Sequence, residues 1–160
     1  MKRITIGGKE YTFKFSVQAS LYNECTEAIL DSFAMGGRMS VTEDPEDMYR
    51  EVISTMANIP KKATTLFYAG LLEFHGRKGD GSVKSIGDAE DLLTDYLEEN
   101  LDDEGKWTKS LSDVLSEMMG IMFDDNFFEL IGLDKMVNQT TERPKRTRKK
   151  SKVGENTSTD

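Results

Sequence analysis

Few residues in this chain could do chemistry, and they are scattered. His75 is the only histidine and Cys25 the only cysteine. Zinc sites take three or four Cys, His or carboxylate ligands, and a nucleophilic cysteine needs a basic neighbour. Neither residue completes such a set. We expect His75, next to Gly76 at a predicted helix end, to meet the negative end of the helix dipole or water. We expect Cys25, on an apolar helix face, to pack as a small hydrophobe.

Several glycine-rich or acidic segments match binding motifs only in part. The segments Gly7-Gly8-Lys9 and 78–82 lack the strand, loop, Lys-Ser/Thr and helix order of a phosphate loop. The segment 102–105 lacks the alternating oxygens and closing glutamate of a calcium loop. The acidic pairs 98–99 and 124–125 are typical of a solvated surface. The sequence therefore predicts a protein that is not an enzyme, with no catalytic residue, no cofactor and no metal ligand set.

Charge divides the chain into an acidic body and a basic tail. Residues 143–160 hold 7 basic and 2 acidic residues, which leaves 14 basic and 27 acidic residues, a net charge of −13, in residues 1–142. Because an acidic surface repels phosphates, nucleic acid is not an expected partner of the body. Like charges beside Pro144 and small polar residues favour disorder. We predict a hairpin-and-helix domain over 1–139 and a flexible basic tail over 140–160.

Apolar periodicity predicts a mainly α fold. Residues 2–15 alternate around Gly7-Gly8, which is typical of a β-hairpin. Helical spacing follows, and we expect the hairpin to pack on a bundle of five or six helices. The predicted helices cover 16–33, 44–57, 61–75, 86 or 88 to 101, 110–124 and 126–133, with breaks at Gly36-Gly37, at Pro60, over 76–87 and over 102–105. No stretch approaches the roughly 20 apolar residues of a membrane helix, so we predict a soluble protein.

Three apolar sets carry the packing predictions. In the first predicted helix, the inward set is Val17, Leu21, Cys25, Ala28 and Ile29. In the second it is Met48, Val52, Ile53 and Met56. Near the end of the body lies a wider set, Met118, Met119, Met122, Phe123, Phe127 and Phe128. Methionine suits adaptable binding surfaces, so this last set is our candidate for partner binding, with core packing as the other interpretation.

Three segments together resemble the tail assembly chaperones of long-tailed phages of Gram-positive bacteria. They are the hairpin Ile4-Thr5-Ile6-Gly7-Gly8-Lys9-Glu10-Tyr11-Thr12-Phe13, the run Leu66-Phe67-Tyr68-Ala69-Gly70-Leu71-Leu72-Glu73-Phe74-His75-Gly76, and Asp125-Asn126-Phe127-Phe128. The order and spacing match over nearly the whole body. In the second run we expect a close helix approach at Ala69 and Gly70, with Leu71 and Phe74 packed beside it.

The resemblance implies a non-catalytic protein that binds the tape-measure protein and keeps it soluble. It would also help to recruit tail-tube subunits, act in the host cytoplasm and be absent from the mature virion. Many members of the family also make a longer, frameshifted form, which would be the one to engage the tail-tube protein. Lys149-Lys150 is where slippery codons would lie. Self-association into a ring or spiral is compatible with coating a long client.

Two other classes remain open. The net charge of the body also fits an acidic adaptor, or a nucleic-acid mimic that inhibits a basic partner, whose binding would be lost at high salt. A small regulator that uses the basic tail to bind nucleic acid would lose its function when residues 143–160 are deleted.

Overall fold

The computed structural model describes residues 1–39 and 44–134, with side chains for 1–33 and 44–134. It confirms a mainly helical fold with an N-terminal hairpin. The elements are β1 (Lys2–Ile6), β2 (Lys9–Phe13), α1 (Val17–Ser20), α2 (Asn23–Met39), α3 (Pro45–His75), α4 (Ile86–Glu98), α5 (Leu111–Asp124) and α6 (Phe127–Leu130). The predicted tail over 140–160, with Lys149 and Lys150, lies outside the described residues.

The hairpin is antiparallel and closes through a two-residue glycine turn. Ile4 pairs with Tyr11 and Ile6 with Lys9. Gly7 and Gly8 have φ values of 60° and 73°, as the favoured hairpin turn requires, and this backbone conformation strains other residues. A two-stranded ribbon is marginal alone, so its inner face must be covered. Its buried side chains, which include Ile4, Ile6 and Phe13, join the core formed by the helices.

Helix α3 is the central support of the fold, because β2, α1, α2, α4 and α5 all contact it. Phe67 lies edge-on to Phe13, with 4.8 Å between ring centroids. The backbone N–H of Lys14, the residue after β2, donates to the carbonyl of Gly70 at 2.8 Å. This bond holds the end of the hairpin against α3. The close approach predicted at Gly70 is therefore made by the hairpin. Phe74, expected to pack there, is 38% exposed.

The predicted break at Pro60 is wrong. Helix α3 runs unbroken through this residue for 31 residues. A proline inside a helix leaves the carbonyl four residues earlier without its usual N–H donor. The turn that precedes Pro60 is exposed at Met56, Ala57 and Asn58, where water can supply the missing bond. The helix thus continues at a tolerable cost.

The inward set predicted for the first half of α3 is also wrong. Met48, Ile53 and Met56 are 46%, 49% and 64% exposed, and only Val52 is half-buried. The first buried residue of α3 is Lys62, two positions after Pro60. Apolar spacing identified the helix but not the half of it that the rest of the fold covers.

The single helix predicted over 16–33 is two helices. Helix α1 ends at its C-cap, Leu21, and α2 begins at Asn23 and continues past Gly36-Gly37 to Met39. Val17 and Leu21 are 53% and 71% exposed, whereas Cys25 is fully buried. The turn between the helices changes the buried face. Glycine lowers helix stability without forbidding the helical backbone. The predicted break at Gly36-Gly37 is therefore also wrong.

Serine caps fix the starts of α4 and α5. Ser110 accepts a hydrogen bond from the Asp113 N–H at 3.2 Å, and the Ser110 N–H donates to Asp113 Oδ2 at 2.8 Å. Ser85 and Asp88 form the same reciprocal pair. Between the helices, a turn with Gly105 at φ 75° brings Leu101 opposite Trp107. Helix α4 ends at Glu98, short of the predicted Leu101.

A partly buried polar network joins β1, α4 and α5. Glu117 accepts hydrogen bonds from Tyr96 at 2.9 Å and from Lys109 at 2.8 Å, and also from Lys2. Lys109 lies 4.5 Å from the centroid of the Tyr96 ring. Burial opposes ionisation of Glu117, yet the bonds from Lys109, Lys2 and Tyr96 outweigh it and lower the pKa of this carboxyl from its ordinary 4.5.

This network predicts an acid-sensitive component of stability. Because the folded pKa of Glu117 is depressed, its contribution is present above about pH 4.5 and is lost as the pH falls through the folded pKa. Glu117→Gln should cost about 1–2 kcal/mol at pH 7 and flatten the decline of stability below pH 5. Urea unfolding between pH 3 and 7 measures both effects. The control is Glu104→Gln, since Glu104 is 72% exposed and its ion pair is with the equally exposed Lys106. Equal acid sensitivity of the two variants would contradict the prediction.

Candidate partner-binding surface

His75 is a structural residue of the hairpin junction. Its Nε2 accepts the backbone N–H of Thr12 at 2.9 Å, and its Nδ1 lies 2.9 Å from Asp80 Oδ2. Since a backbone amide can only donate, Nε2 is unprotonated and Nδ1 carries the proton toward the carboxylate. We expected the helix dipole or water as partners of His75, and the structure instead places it, buried, against β2 and the loop after α3.

Asp80 and Ser82 complete an arrangement with the residue types of a hydrolase triad. Ser82 Oγ lies 3.3 Å from His75 Nδ1 and 2.6 Å from Asp80 Oδ1. A triad serine must face the ring nitrogen that takes its proton, and here the Thr12 amide occupies the unprotonated nitrogen. Hydrogen bonds from the side chain and backbone of Ser82, and then from His75, lower the pKa of Asp80 to about 2. The geometry closes the loop on the helix and leaves no free base.

The other candidate chemical segments are also engaged within the fold. Burial raises the pKa of the Cys25 thiol to about 12, which suppresses the nucleophilic thiolate. In a phosphate loop the Gly7 N–H would donate to a phosphate oxygen, but here it donates to the Glu99 carboxylate at 2.6 Å. Asp102 accepts the backbone N–H groups of Glu104 and Lys106. Among the described residues, no group of three or more His, Cys, Asp or Glu side chains could hold a metal ion.

Asp125 fixes the end of α5 to the hairpin. Its Oδ2 accepts the Phe15 N–H at 2.8 Å, and its Oδ1 pairs with the amino group of Met1. The Phe15 ring lies 5.6 Å from that of Phe127. These contacts bring the start of α6 against the hairpin, so the acidic pair 124–125 contains one structural carboxylate, Asp125, and one exposed one, Asp124.

The structure separates the six residues predicted to bind a partner. Met118, Met122 and Phe127 are fully buried and Phe128 is 9% exposed. Met119 is half-buried. Phe123 is 63% exposed, and it is the only one of the six that presents most of its side chain to solvent. Helical spacing joins the six on one broad face, but α3 packs along α5 and buries most of that face.

Phe123 belongs to an aromatic patch, which we define as Phe33, Phe123 and Phe128. The Phe128 ring centroid lies 4.6 Å from that of Phe123 and 5.7 Å from that of Phe33. Phe33, at the described end of the α2 side chains, is 41% exposed. Sequence reasoning did not select Phe33, because its spacing of four from the buried Ile29 is equally typical of core. The patch thus joins α2, α5 and α6.

Acidic residues lie close in sequence to each member of the aromatic patch. Asp31, Asp124 and Glu129 are its acidic neighbours in sequence, and all three are exposed. Exposed apolar rings on an acidic body suit a partner with an apolar face and basic or neutral edges. A single exposed aromatic residue is ordinary, whereas two that pack against a shared third ring form a continuous contact area.

Comparison with protein-family models, curated proteins and solved structures gave no significant match. No helix in the described ranges combines the length and apolar character needed to cross a membrane.

Proposed function

We propose that this protein is a tail assembly chaperone of a long-tailed phage of Gram-positive bacteria. It binds the tape-measure protein in the host cytoplasm, keeps it soluble, helps to recruit tail-tube subunits and leaves before the virion is complete. A longer frameshifted form would carry the tail-tube contact. The exposed aromatic patch on an acidic body is the observation that carries this proposal, because such a surface can hold apolar helix while its charge opposes aggregation.

The three segments behind the resemblance meet at one packing junction. Phe13 of the first segment packs on Phe67 of the second. Directly after the first segment, the Lys14 N–H donates to Gly70 in the second, and the Phe15 N–H donates to Asp125 in the third. These segments, with the two residues that follow the hairpin, therefore hold the hairpin, α3 and the end of α5 together. This junction positions the aromatic patch at the end of α5, and the patch supplies the functional part of the proposal.

The test is co-expression of the full chain with the tape-measure protein encoded nearby, followed by pull-down. We expect a soluble complex that survives about 1 M salt, where charge interactions are screened within about 3 Å. The double variant Phe33→Gln/Phe123→Gln should weaken the complex about tenfold or more, because exposed aromatic anchors dominate such interfaces. The matched control is Leu21→Gln, which removes an apolar side chain that is 71% exposed outside the patch.

Three outcomes would contradict the proposal: no complex, a complex that salt dissolves, or equal loss in the control. Circular dichroism and thermal unfolding of each variant separate loss of binding from loss of fold. A complex retained by the double variant would leave the client assignment standing and move the site away from the patch.

The acidic adaptor is the second candidate, and one observation favours it. Asp91, Asp95 and Glu98 are exposed on α4 at spacings of four and three, which places them on one face about one turn apart. Carboxylates at such regular spacing can imitate the phosphates of a nucleic acid and bind a basic partner. Binding would then collapse with salt, and Asp91→Asn/Asp95→Asn would weaken it while the aromatic variants would not.

A further inference from the structure

The first half of α3 carries an apolar stripe that the fold leaves uncovered. Tyr49, Ile53 and Met56 follow one another at spacings of four and three and are 67%, 49% and 64% exposed. Val52, Thr55 and Ile59, at spacings of three and four, lie on the adjoining face and are half-buried. The covered face and the open face are therefore distinct, and the open one runs for about 10 Å along the helix at 1.5 Å per residue.

This stripe belongs to an arm of the molecule with strongly acidic composition. We define the arm as residues 44–60, which contain one basic residue, Arg50, and four acidic residues. The acidic residues are Asp44, Glu46, Asp47 and Glu51. Glu46 lies one helical turn before Tyr49, so a carboxylate continues the line of the stripe.

We propose that the arm binds the apolar face of a basic amphipathic helix. The stripe supplies the apolar contact, and Met56 provides an unbranched side chain that adapts to different partner surfaces. The acidic edges attract a partner with Lys or Arg beside its apolar face and disfavour an acidic one. A second copy of this chain would bring two arms of the same sign together, so it fits less well. The inference rests on the proposed function only where it names the client: the basic amphipathic segment of the tape-measure protein.

The stripe and the aromatic patch are separate parts of the surface. The stripe lies before Pro60 on α3, whereas the patch lies at the junction of α2, α5 and α6. Two apolar contacts on one chain would let it hold a long helical client at two points, which raises the effective concentration of each contact for the other.

The probe is an 18-residue designed peptide of Leu and Lys, with Leu at helical spacing and a fluorescent label. The full chain should bind it, with an increase in anisotropy. A peptide of the same composition with alternating Leu and Lys, and one with Glu in place of Lys, should each bind about tenfold more weakly or not at all, since one loses the apolar face and the other the charge match. Equal binding of the alternating peptide or the Glu peptide would overturn the inference.

The variant that tests the stripe is Ile53→Gln/Met56→Gln, which changes no residue of the core. We expect about tenfold weaker binding of the helical peptide, since two exposed apolar side chains lose their burial in the complex. Leu21→Gln is the control, because Leu21, the C-cap of α1, is 71% exposed and lies outside the stripe, so its replacement should leave binding unchanged. Circular dichroism checks that α3 remains helical. Unchanged affinity of the double variant, or an equal loss in the control, would overturn the inference.

The two proposals can fail independently. If the tape-measure protein co-purifies equally with the natural chain and with Ile53→Gln/Met56→Gln, the chaperone function stands and the arm is not its binding site. If the helical peptide binds through the stripe but no tape-measure complex forms, the arm binds basic helices and the proposed client is wrong.

Discussion

Replacing Met122 with glutamine should lower the free energy of unfolding by about 2–4 kcal/mol, whereas the same change at Phe123 should lower it by less than about 1 kcal/mol. The two residues are adjacent in α5, yet Met122 is fully buried and Phe123 is 63% exposed. Glutamine has nearly the volume of methionine, so the first change introduces a buried amide without partners rather than a large cavity. At Phe123 the amide remains in water.

Urea unfolding followed by circular dichroism measures the difference, and the Met122 variant should also melt about 10 °C lower. The pull-down with the tape-measure protein gives the second readout. Phe123→Gln should reduce binding while the fold is retained, whereas Met122→Gln should reduce binding only where the chain unfolds. Equal stability losses at the two positions would mean that Phe123 is packed in solution, and the aromatic patch would then not be a free surface.

Local signals made the hairpin and the starts of α4 and α5 predictable. The Gly7-Gly8 turn and the Ser110 cap depend on hydrogen bonds and backbone angles within a few residues. The types of those few residues are enough to predict them. The continuity of α3 through Pro60 was not predictable in this way. It depends on the exposure of the preceding turn, a property of the folded molecule rather than of the local sequence.

The candidate site was predictable only as a region. Helical spacing placed Met118 to Phe128 on one broad apolar face, but which residues are covered depends on where α3, the hairpin and α2 lie against it. Phe33 joins the patch from a helix almost 100 residues earlier in the chain. Periodicity within α5 and α6 contains no information on that contact, so sequence reasoning could not separate Phe123 from its buried neighbours or select Phe33.

The same dependence on distant contacts explains why α3 has two halves of different character. Its second half supplies Leu66, Phe67 and Leu71 to the core and meets the hairpin, so it holds the fold together. Its first half presents Tyr49, Ile53 and Met56 to solvent and contributes little to that core. Substitutions in the second half should therefore act on stability, and substitutions in the first half on binding.

Gly70→Ala and Gly120→Ala should change stability in opposite directions, although both replace a glycine inside a helix. A Cβ at Gly70 would lie 3.0 Å from Cδ1 of Phe13 and 3.3 Å from Cζ of Phe15. Phe13 is fully buried and Phe15 is 2% exposed, so neither ring has free space into which it could move. Overpacking of this kind costs about 1–3 kcal/mol, which exceeds the gain of about 0.5–1 kcal/mol from replacing a helical glycine by alanine.

At Gly120 a Cβ meets nothing within 4 Å, and the residue is exposed on α5. Only the gain in helix stability remains there, so Gly120→Ala should stabilise the protein by about 0.5–1 kcal/mol. Gly70→Leu should enlarge the loss to about 3 kcal/mol or more, while Gly120→Leu should stay near the alanine value. Urea unfolding of the four variants measures these signs. A stabilised Gly70→Ala variant would mean that the hairpin can shift away from α3, and the close packing of Phe13 and Phe15 on this helix would then not be what fixes the hairpin in place.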